Sequence, residues 1–536
     1  MFYTPKIVVD YVVNNTVRHK VKGKTFKEIL KIKILDPACG SASFLIRAFD
    51  VLVEESERTL KRKLIYEEKK SLMLNCIYGV DLDERAVEMA KLNLTLKLAQ
   101  IKEGLPVLSD NIKHGNSLID DKSVEGFNAF VWENEFKEVI SNGGFDVVLG
   151  NPPWVRAKIS CNSQELKFLR EKFGMYSVGE LNLYKLFIVQ ALKKCANEGM
   201  FSFIVPSSYL SDRDSITLRK WILENFDMEE IVVFSEAGTK KLFNGVITQA
   251  TTILRVRKKK PTSKSKVRIS AYLDAPEALA SSNYAFSTIN QIDFLKLPDY
   301  QLPAGMSLLE SEVLLKLLKS DKLGSQIETK DGEVHLTKYS KFITDDKEKN
   351  SVLLVRGNHL SEFAIDLRES DRKGGWFKPV EAKISTVMSK EPRIVVQQVS
   401  NMSQKRRIKG GILPAGLYAG NSCVSVKAVG SENPLEFILG LLHSDLLNWY
   451  FKKLSSTNHV TGRELKSLPF VKPSAEQKKK ILVIVKELID LRAHLQASGA
   501  NNSKAQLRFD QLFKELNGVV YDMYSITAEE RVAIKL

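Results

Sequence analysis

The chain has 536 residues, 44% of them hydrophobic, which is enough to bury at least two cores and excludes a disordered or fibrous protein. Its 80 lysines and arginines exceed its 64 acidic residues, and the net charge of +16 favours a nucleic-acid partner, although a lysine-rich source would give the same excess. The five cysteines show no disulfide or metal spacing, and no apolar run is long enough to span a membrane.

The first predicted unit is a strand, a small-residue turn and a helix over residues 33–45. Small side chains let a backbone approach a ligand closely, and a helix start offers free N–H groups. Asp36 ends the strand, where it can accept from a ligand ammonium, and the turn supplies Ala38, Gly40 and Ser41. Because the chain has neither Gly-x-x-x-x-Gly-Lys nor Gly-x-Gly-x-x-Gly, we expect a nucleoside-like ligand without a pyrophosphate.

Two further predicted strands end in polar side chains. The strand over residues 76–81 ends at Asp81, before a helix from about Glu84. An acid at the end of the second strand is the usual group for gripping both ribose hydroxyls. The third strand ends near Asn116, where it can help hold an adenine ring of the ligand.

The tetrapeptide Asn151-Pro152-Pro153-Trp154 follows the apolar strand predicted over residues 145–150. Proline fixes φ and lacks an N–H, so this loop edge is rigid and rich in acceptors, with an aromatic face beside it. That combination suits a planar base carrying an –NH2 group, which needs two acceptors and a stacking surface. Alone, the tetrapeptide is equally well explained as a structural turn; the polar strand ends before it give it weight.

Together these motifs resemble S-adenosylmethionine-dependent amino-methyltransferases that act on DNA, specifically the adenine-N6 class of restriction–modification systems in the gamma motif order. The resemblance is tight over residues 1–257 and looser over 350–536. It implies a Rossmann-like sheet with helices on both faces. It also implies a cofactor site with the following residues: Tyr3, Thr4, Pro5, Asp36, Ala38, Gly40, Ser41, Asp81, Asn116 and Asn151.

The expected chemistry orients a poor nucleophile without a covalent intermediate or a metal. The Asn151 side-chain oxygen and the Pro152 carbonyl accept from the amine and aim its lone pair at the methyl group. Since a base inside a duplex must be flipped out, Trp154 is expected to stack on one face and Phe243 on the other. A hydrophobic plug is an equally good interpretation of Phe243.

Three positions depart from the family pattern. Ala42 stands where glycine is frequent, and Asn116 stands where aspartate is more usual. Trp154 occupies a position where the adenine class more often has tyrosine. This last departure weakens the choice of adenine over cytosine.

The domain organisation is predicted from composition and periodicity. A methyltransferase domain over residues 1–257 precedes a basic, proline-bearing linker over 258–305. A mixed α+β target-recognition domain follows over 306–472, with a single buried helix at 435–451, and residues 473–536 form its helical ending.

A segment rich in amides and cations over residues 397–409 is the predicted DNA reader. Amides suit adenine edges, arginine suits guanine edges and lysine suits phosphates, so we expect DNA contacts from Lys405, Arg406, Arg407 and Lys409. A plain basic hairpin explains the same composition equally well.

The sequence therefore predicts a site-specific adenine DNA methyltransferase that uses S-adenosylmethionine on duplex DNA in a prokaryotic cytoplasm, associated with the nucleoid, as a monomer or weak dimer. Its restriction endonuclease is expected in a separate chain, unless the sequence is a piece of a longer one. The alternatives are N4-cytosine methylation and a non-catalytic DNA-binding specificity or scaffold subunit. An intact set of polar strand ends speaks against the scaffold.

Overall fold

A computed structural model describes residues 4–98, 106–124, 129–176, 178–281, 284–368, 374–384, 387–401, 404–455, 458–498 and 503–534. The chain divides into two compact units, Met1–Leu308 and Leu309–Leu536.

The first unit is built around a nine-stranded sheet. Its strands are β1 Ile34–Asp36, β2 Ile77–Asp81, β3 Ile112–His114, β4 Phe145–Gly150, β5 Cys195–Pro206, β6 Asp227–Phe234, β7 Thr251–Arg257, β8 Lys266–Leu273 and β9 Phe286–Asn290. Its helices are α1 Lys6–Val13, α2 His19–Val21, α3 Phe26–Ile29, α4 Ser43–Leu60, α5 Tyr66–Cys76, α6 Glu84–Leu98, α7 Trp132–Glu135, α8 Lys137–Ser141, α9 Ala157–Ser160, α10 Ser163–Phe173, α11 Leu183–Lys194, α12 Ile216–Asn225, α13 Glu236–Leu242, α14 Glu277–Ser281 and α15 Gln291–Phe294, with a π-helical turn at Asn14–Arg18.

The strand order reverses direction beside β1. The order is β3-β2-β1-β4-β5-β7-β6-β8-β9, and the pairs among β3, β2, β1, β4 and β5 are all parallel. β7 is antiparallel to both of its neighbours, and β9 is antiparallel to β8. In open parallel sheets, ligands bind outside the carboxyl ends of the strands where the order reverses. Here that point lies between β1 and β4.

Both faces of the sheet are covered. Ile77 of β2 belongs to a core that includes side chains of α1 and α4, such as Val12 and Leu45. Its neighbour Tyr78 packs on Phe136, between α7 and α8, with ring centroids 5.4 Å apart. Successive strand residues point to opposite faces, so helical segments lie on each side.

The prediction of a linker over residues 258–305 is wrong, because most of this segment belongs to the first unit. Only the short stretch from 258 to 265 connects β7 to β8, and β8 and β9 then extend the sheet beyond β6. The alternation of exposed Lys266 and Arg268 with buried Val267 and Ile269 is typical of a half-buried strand. The lysine and arginine of β8 made the segment look like a basic linker when only its composition was considered.

The second unit is mixed α+β. Its strands are β10 Asp321–Lys322, β11 Ile327–Asp331, β12 Ile343–Thr344, β13 Val352–Val355, β14 Leu360–Ser361, β15 Ala364–Ile365, β16 Trp376–Phe377, β17 Arg393–Gln397, β18 Gly410–Leu413, β19 Tyr418–Ala419, β20 Cys423–Ala428 and β21 Pro469–Phe470. They form two four-stranded sheets, β11-β20-β17-β18 and β12-β16-β13-β19, and two strand pairs. The helices are α16 Leu308–Leu317, α17 Leu435–His443, α18 Asp445–Leu454, α19 Gly462–Ser467, α20 Ala475–Ser498, α21 Ser503–Met523 and α22 Ala528–Ala533.

The single helix predicted over 435–451 is two helices. Ser444 adopts an extended conformation between α17 and α18, and its Oγ accepts from the backbone N–H of Leu447 at 3.3 Å. A serine that caps a new helix in this way stops the preceding one.

Candidate active site

The predicted site residues of the first and fourth strands lie side by side. Asp36 ends β1, and Asn151 directly follows β4, the parallel neighbour of β1. A Cβ added to Gly150 would lie 2.6 Å from Oδ1 of Asp36. Glycine is therefore required at 150, because any side chain would collide with the carboxyl group that closes the space between the two strands.

Hydrogen bonds fold the turn after β1 over the end of β2. Asp36 Oδ1 accepts from the Ala38 N–H at 3.1 Å, and Asp81 Oδ2 accepts from the Gly40 N–H at 2.8 Å. Gly40 and Ala42 have φ values of 53° and 71°. A left-handed alanine costs about 1–2 kcal/mol, which explains why a glycine at position 42 would suit this turn.

The third strand end joins the same region. The N–H of Gly115 donates to the Asp81 carbonyl at 2.9 Å, and the Ser117 hydroxyl donates to the Pro37 carbonyl at 2.6 Å. The side-chain oxygen of Asn116 accepts from the Leu118 N–H at 2.9 Å. The structure thus brings the ends of β1, β2 and β3 together around the turn.

Asp36 is a buried acid without a protein cation. It is 1% exposed, and no lysine or arginine in the described part of the chain forms an ion pair with it. Burial, together with the neighbouring Asp81 carboxylate, raises the pKa of Asp36 to about 8. A cationic ligand group would supply the missing counter-charge, so this position fits an ammonium.

The N-terminal segment reaches the predicted catalytic asparagine. Asn151 Nδ2 donates to Thr4 Oγ1 at 3.1 Å, and Pro5 directly precedes α1 as its N-cap residue. Tyr3, which the resemblance assigns to the cofactor, lies outside the described residues.

The predicted stacking residues, Trp154 and Phe243, touch each other edge to face. Their ring centroids are 5.9 Å apart, and their planes meet at 77°. Phe243 is buried in the hydrophobic core against which Trp154 packs. Since the two rings are already in contact, a base can enter between them only if one ring moves.

A buried polar network near the end of β5 was missed by sequence reasoning. Lys185 Nζ on α11 lies 2.9 Å from Asp212 Oδ2, and Arg219 Nη1 donates to the Tyr209 carbonyl at 2.7 Å. Both cations are almost fully buried. The available signal was a single charge, Lys185, within the apolar run of α11, because lysine is rarely buried unless it is paired.

The four cations of the predicted DNA reader do not form one exposed patch, which corrects the expectation that all four contact DNA. Lys405 is exposed and Lys409 is half-buried. Arg406 lies 2.7 Å from Asp445 and stacks over Phe513, whereas Arg407 is buried and donates to the Ser400 carbonyl. The two guanidinium groups are used inside the second unit.

The described residues contain neither a candidate membrane span nor a candidate metal cluster. No described helix is both long and apolar enough to cross a membrane. In the same part of the chain, no three His, Cys, Asp or Glu side chains form a group that could hold a metal ion.

The chain resembles restriction–modification methylases. Residues 75–243 match the family described as Eco57I restriction-modification methylase. The matching segment contains β2 to α13 and the Asn-Pro-Pro-Trp loop.

Individual relatives agree with this class. The chain is 30% identical over 272 residues to the "Type II restriction enzyme and methyltransferase RM.Eco57I" of Escherichia coli, covering 46% of this chain and 26% of that protein. It is 26% identical over 183 residues to the "Adenine-specific methyltransferase PglX" of Streptomyces coelicolor, covering 30% and 15%. The chain thus spans about a quarter or less of these two relatives.

A solved structure shares the fold over nearly the whole chain. The Type IIL restriction-modification enzyme MmeI, solved in complex with DNA, superposes with a TM-score of 0.58 at 14% identity, covering 99% of this chain and 77% of that one. The mixed α/β architecture with its large, mostly parallel sheet is therefore similar to the fold of that enzyme.

Proposed function

We propose that this protein is a site-specific DNA methyltransferase that transfers a methyl group to the N6 amine of a flipped adenine in duplex DNA. The observation that carries the proposal is the convergence of Asp36 and Asn151 where the strand order reverses, with the carboxyl group of Asp36 pressed against Gly150. One residue suits a cation and the other an amine, so a cationic methyl donor and an amino acceptor would meet there.

S-adenosylmethionine fits the residues at this edge as the cofactor. The buried Asp36 lacks a protein counter-charge and would hold the ammonium group. Asp81, at the end of β2, would bind the ribose hydroxyls, and the segment at Asn116 would hold the adenine of the cofactor. When bound, the cofactor supplies an electrophilic methyl group on sulfur. The cofactor would then bind where the strand order reverses, as ligands do in Rossmann-like sheets.

The protein's own contribution would be orientation. An aromatic amine is a weak nucleophile because its lone pair is delocalised into the ring. The Asn151 side-chain oxygen and the Pro152 carbonyl would accept both amine hydrogens and so localise that pair. Pro152 and Pro153 keep the loop rigid, and Trp154 offers a stacking face.

Duplex DNA is supported as the substrate by the charge of +16 and by the name of the structural neighbour, which was solved with DNA. Adenine is supported by the name of PglX. We further propose a protective role in a restriction–modification or related system in the prokaryotic cytoplasm. The endonuclease would belong to another chain or to a part of the protein beyond this sequence.

The experiment is modification-sensitive sequencing of DNA from cells that express this chain alone, with an Asn151→Ala strain as control. We expect N6-methyladenine at one short motif, absent from the control. N4-methylcytosine at the motif would show that the target base is cytosine, in agreement with tryptophan in place of tyrosine at position 154. If the DNA is unmodified and the purified chain does not bind the cofactor, the alternative of a non-catalytic DNA-binding scaffold subunit would be favoured.

A further inference from the structure

The Asn151 carboxamide is held by a side chain 147 positions earlier in the sequence. Its Nδ2 donates to Thr4 Oγ1 at 3.1 Å. Thr4 is 5% exposed, so water competes little for this bond. With Nδ2 directed to Thr4, Oδ1 is the amide atom left to accept from a substrate amine.

The position of Thr4 is set by a helix that is fixed to the sheet. Arg47 Nε on α4 donates to Asp10 Oδ1 on α1 at 2.7 Å. The Tyr11 hydroxyl, also on α1, donates to Glu230 Oε2 on β6 at 2.8 Å. Thr4 therefore sits at the end of an anchored element rather than on a loop of its own.

The orientation of this amide decides whether it can serve methyl transfer. Oδ1 accepts hydrogens from an amine, whereas Nδ2 carries hydrogens and would repel them. A rotation of the amide by half a turn about its last side-chain bond exchanges the two atoms. The Thr4 hydroxyl holds the amide on one side, and in the orientation that the structure shows it accepts from Nδ2 and leaves Oδ1 for a substrate.

We propose that Thr4 is a positioning residue: its hydroxyl accepts from Nδ2 and restrains the Asn151 carboxamide where Oδ1 is available to the target amine. The inference rests on the proposed function, since it assigns how the catalytic amide of that reaction is oriented.

The test measures single-turnover methylation by the full chain at saturating cofactor, on DNA containing the motif mapped by sequencing. Thr4→Val keeps the branched shape and removes the hydroxyl. We expect its rate to fall about tenfold, which corresponds to the loss of one hydrogen bond to a catalytic amide. The affinity for DNA, measured by filter binding, should change less than twofold, and the saturating cofactor removes any effect of the substitution on cofactor affinity from the measured rate. Thr4→Ser retains a hydroxyl and should restore most of the rate.

Thr16→Val is the matched control. Thr16 lies in the π-helical turn after α1, is fully buried, and its hydroxyl donates to the Val12 carbonyl at 2.6 Å. The same chemical change there should leave the methylation rate unaltered.

Several results would overturn the inference while the proposed function stands. These are a wild-type rate in Thr4→Val, a loss that disappears as the cofactor concentration rises, and equal losses in Thr4→Val and Thr16→Val. A wild-type chain that binds DNA and cofactor but methylates nothing would instead refute the proposed function itself.

Discussion

Buried ionisable side chains are paired very differently in two regions of the molecule. In the second unit, Arg393 and Glu333 are both fully buried and form two hydrogen bonds, of 2.5 and 2.6 Å. The carboxylate of Glu333 also accepts from the Ala419 N–H and the Ser425 hydroxyl. At the end of β1, Asp36 is equally buried, but the structure gives it a single backbone donor, Ala38, among the described residues.

This difference separates structural polar groups from ligand-binding ones. Burial of a charge is costly unless it is paired and hydrogen-bonded. In the second unit the carboxylate of Glu333 pairs with the Arg393 guanidinium, and only Nη1 of that guanidinium has no hydrogen-bond partner within the described part of the chain. Asp36 has no cationic partner among the described residues, and its burial raises its pKa to about 8. We interpret Asp36 as a group whose partner arrives with the ligand.

The largest effect should come from breaking the compensated pair. Glu333→Ala would leave the Arg393 guanidinium buried without its carboxylate, at a cost of about 3–5 kcal/mol. For a unit of this size, that should lower the melting temperature by about 6–20 °C, measured by differential scanning calorimetry of the full chain.

The control for this prediction is an exposed ion pair in the same unit. Glu487→Ala removes the partner of Arg508, at 2.8 Å on the surface, and should shift the melting temperature by no more than a few degrees. Replacing Glu333 and Arg393 together by apolar residues should recover much of the stability. Equal melting temperatures for Glu333→Ala and Glu487→Ala would refute the claim that the buried pair stabilises the second unit more than an exposed pair does.

The second prediction concerns the uncompensated region. Asn151→Ala removes the acceptor for the substrate amine and should lower the methylation rate about 10²–10³-fold, as for loss of a single preorganised electrostatic contact. The melting temperature should stay near wild type, because the Asn151 side chain is half-buried and forms one side-chain hydrogen bond in the structure. Cofactor binding should persist, because Asp36 and Asp81 remain in place. A variant with near-normal turnover would refute the assigned role.

The sequence predicted where the candidate site residues lie better than it predicted their surroundings. Asp36 and Asp81 end apolar strands and Asn151 follows one, and parallel strands bring their ends to one edge. The predicted strand over 145–150 coincides with β4, and the helix from Glu84 coincides with α6. Periodicity and strand-end chemistry are local properties, so they can be read without coordinates.

Features that depend on partners distant in sequence could not be predicted. Composition made Arg406 and Arg407 look like DNA contacts, but Asp445 and Phe513 engage the first, and burial in the second unit excludes the second from solvent. The bond between Thr4 and Asn151 joins positions with no shared motif. The edge-to-face contact of Trp154 with Phe243 likewise depends on packing, which residue type alone does not determine.

A pH titration gives the third prediction. The pKa of Asp36 lies above its usual 3.8, so the ligand-free fold is favoured with this group protonated and loses that contribution as pH rises toward about 8. An ammonium ligand needs the ionised carboxylate. Cofactor affinity should therefore rise with pH between about 6 and 7.5, by up to about tenfold per unit, measured by calorimetry.

The Asp36→Asn variant tests the cause of this dependence. It should bind the cofactor more weakly at pH 7.5 and show a flat profile over the same range, since the titrating group is gone. A wild-type profile that is flat, or a slope that persists in Asp36→Asn, would show that Asp36 is not the group whose charge the ligand completes.

The smallest expected effect lies at the exposed end of the predicted DNA reader. If Lys405 contacts phosphate, Lys405→Ala should weaken DNA binding only several-fold, but it should reduce the slope of log affinity against log salt by about 1. Lys63→Ala, at a lysine on the surface of the first unit that pairs with Glu57 at 2.7 Å, should leave the slope unchanged. Arg407→Ala should behave in the opposite way and lower the melting temperature, because Arg407 is buried and donates to the Ser400 and His459 carbonyls. The distinction between internally used and ligand-directed cations holds for this segment only if Lys405 changes the salt slope and Arg407 changes stability.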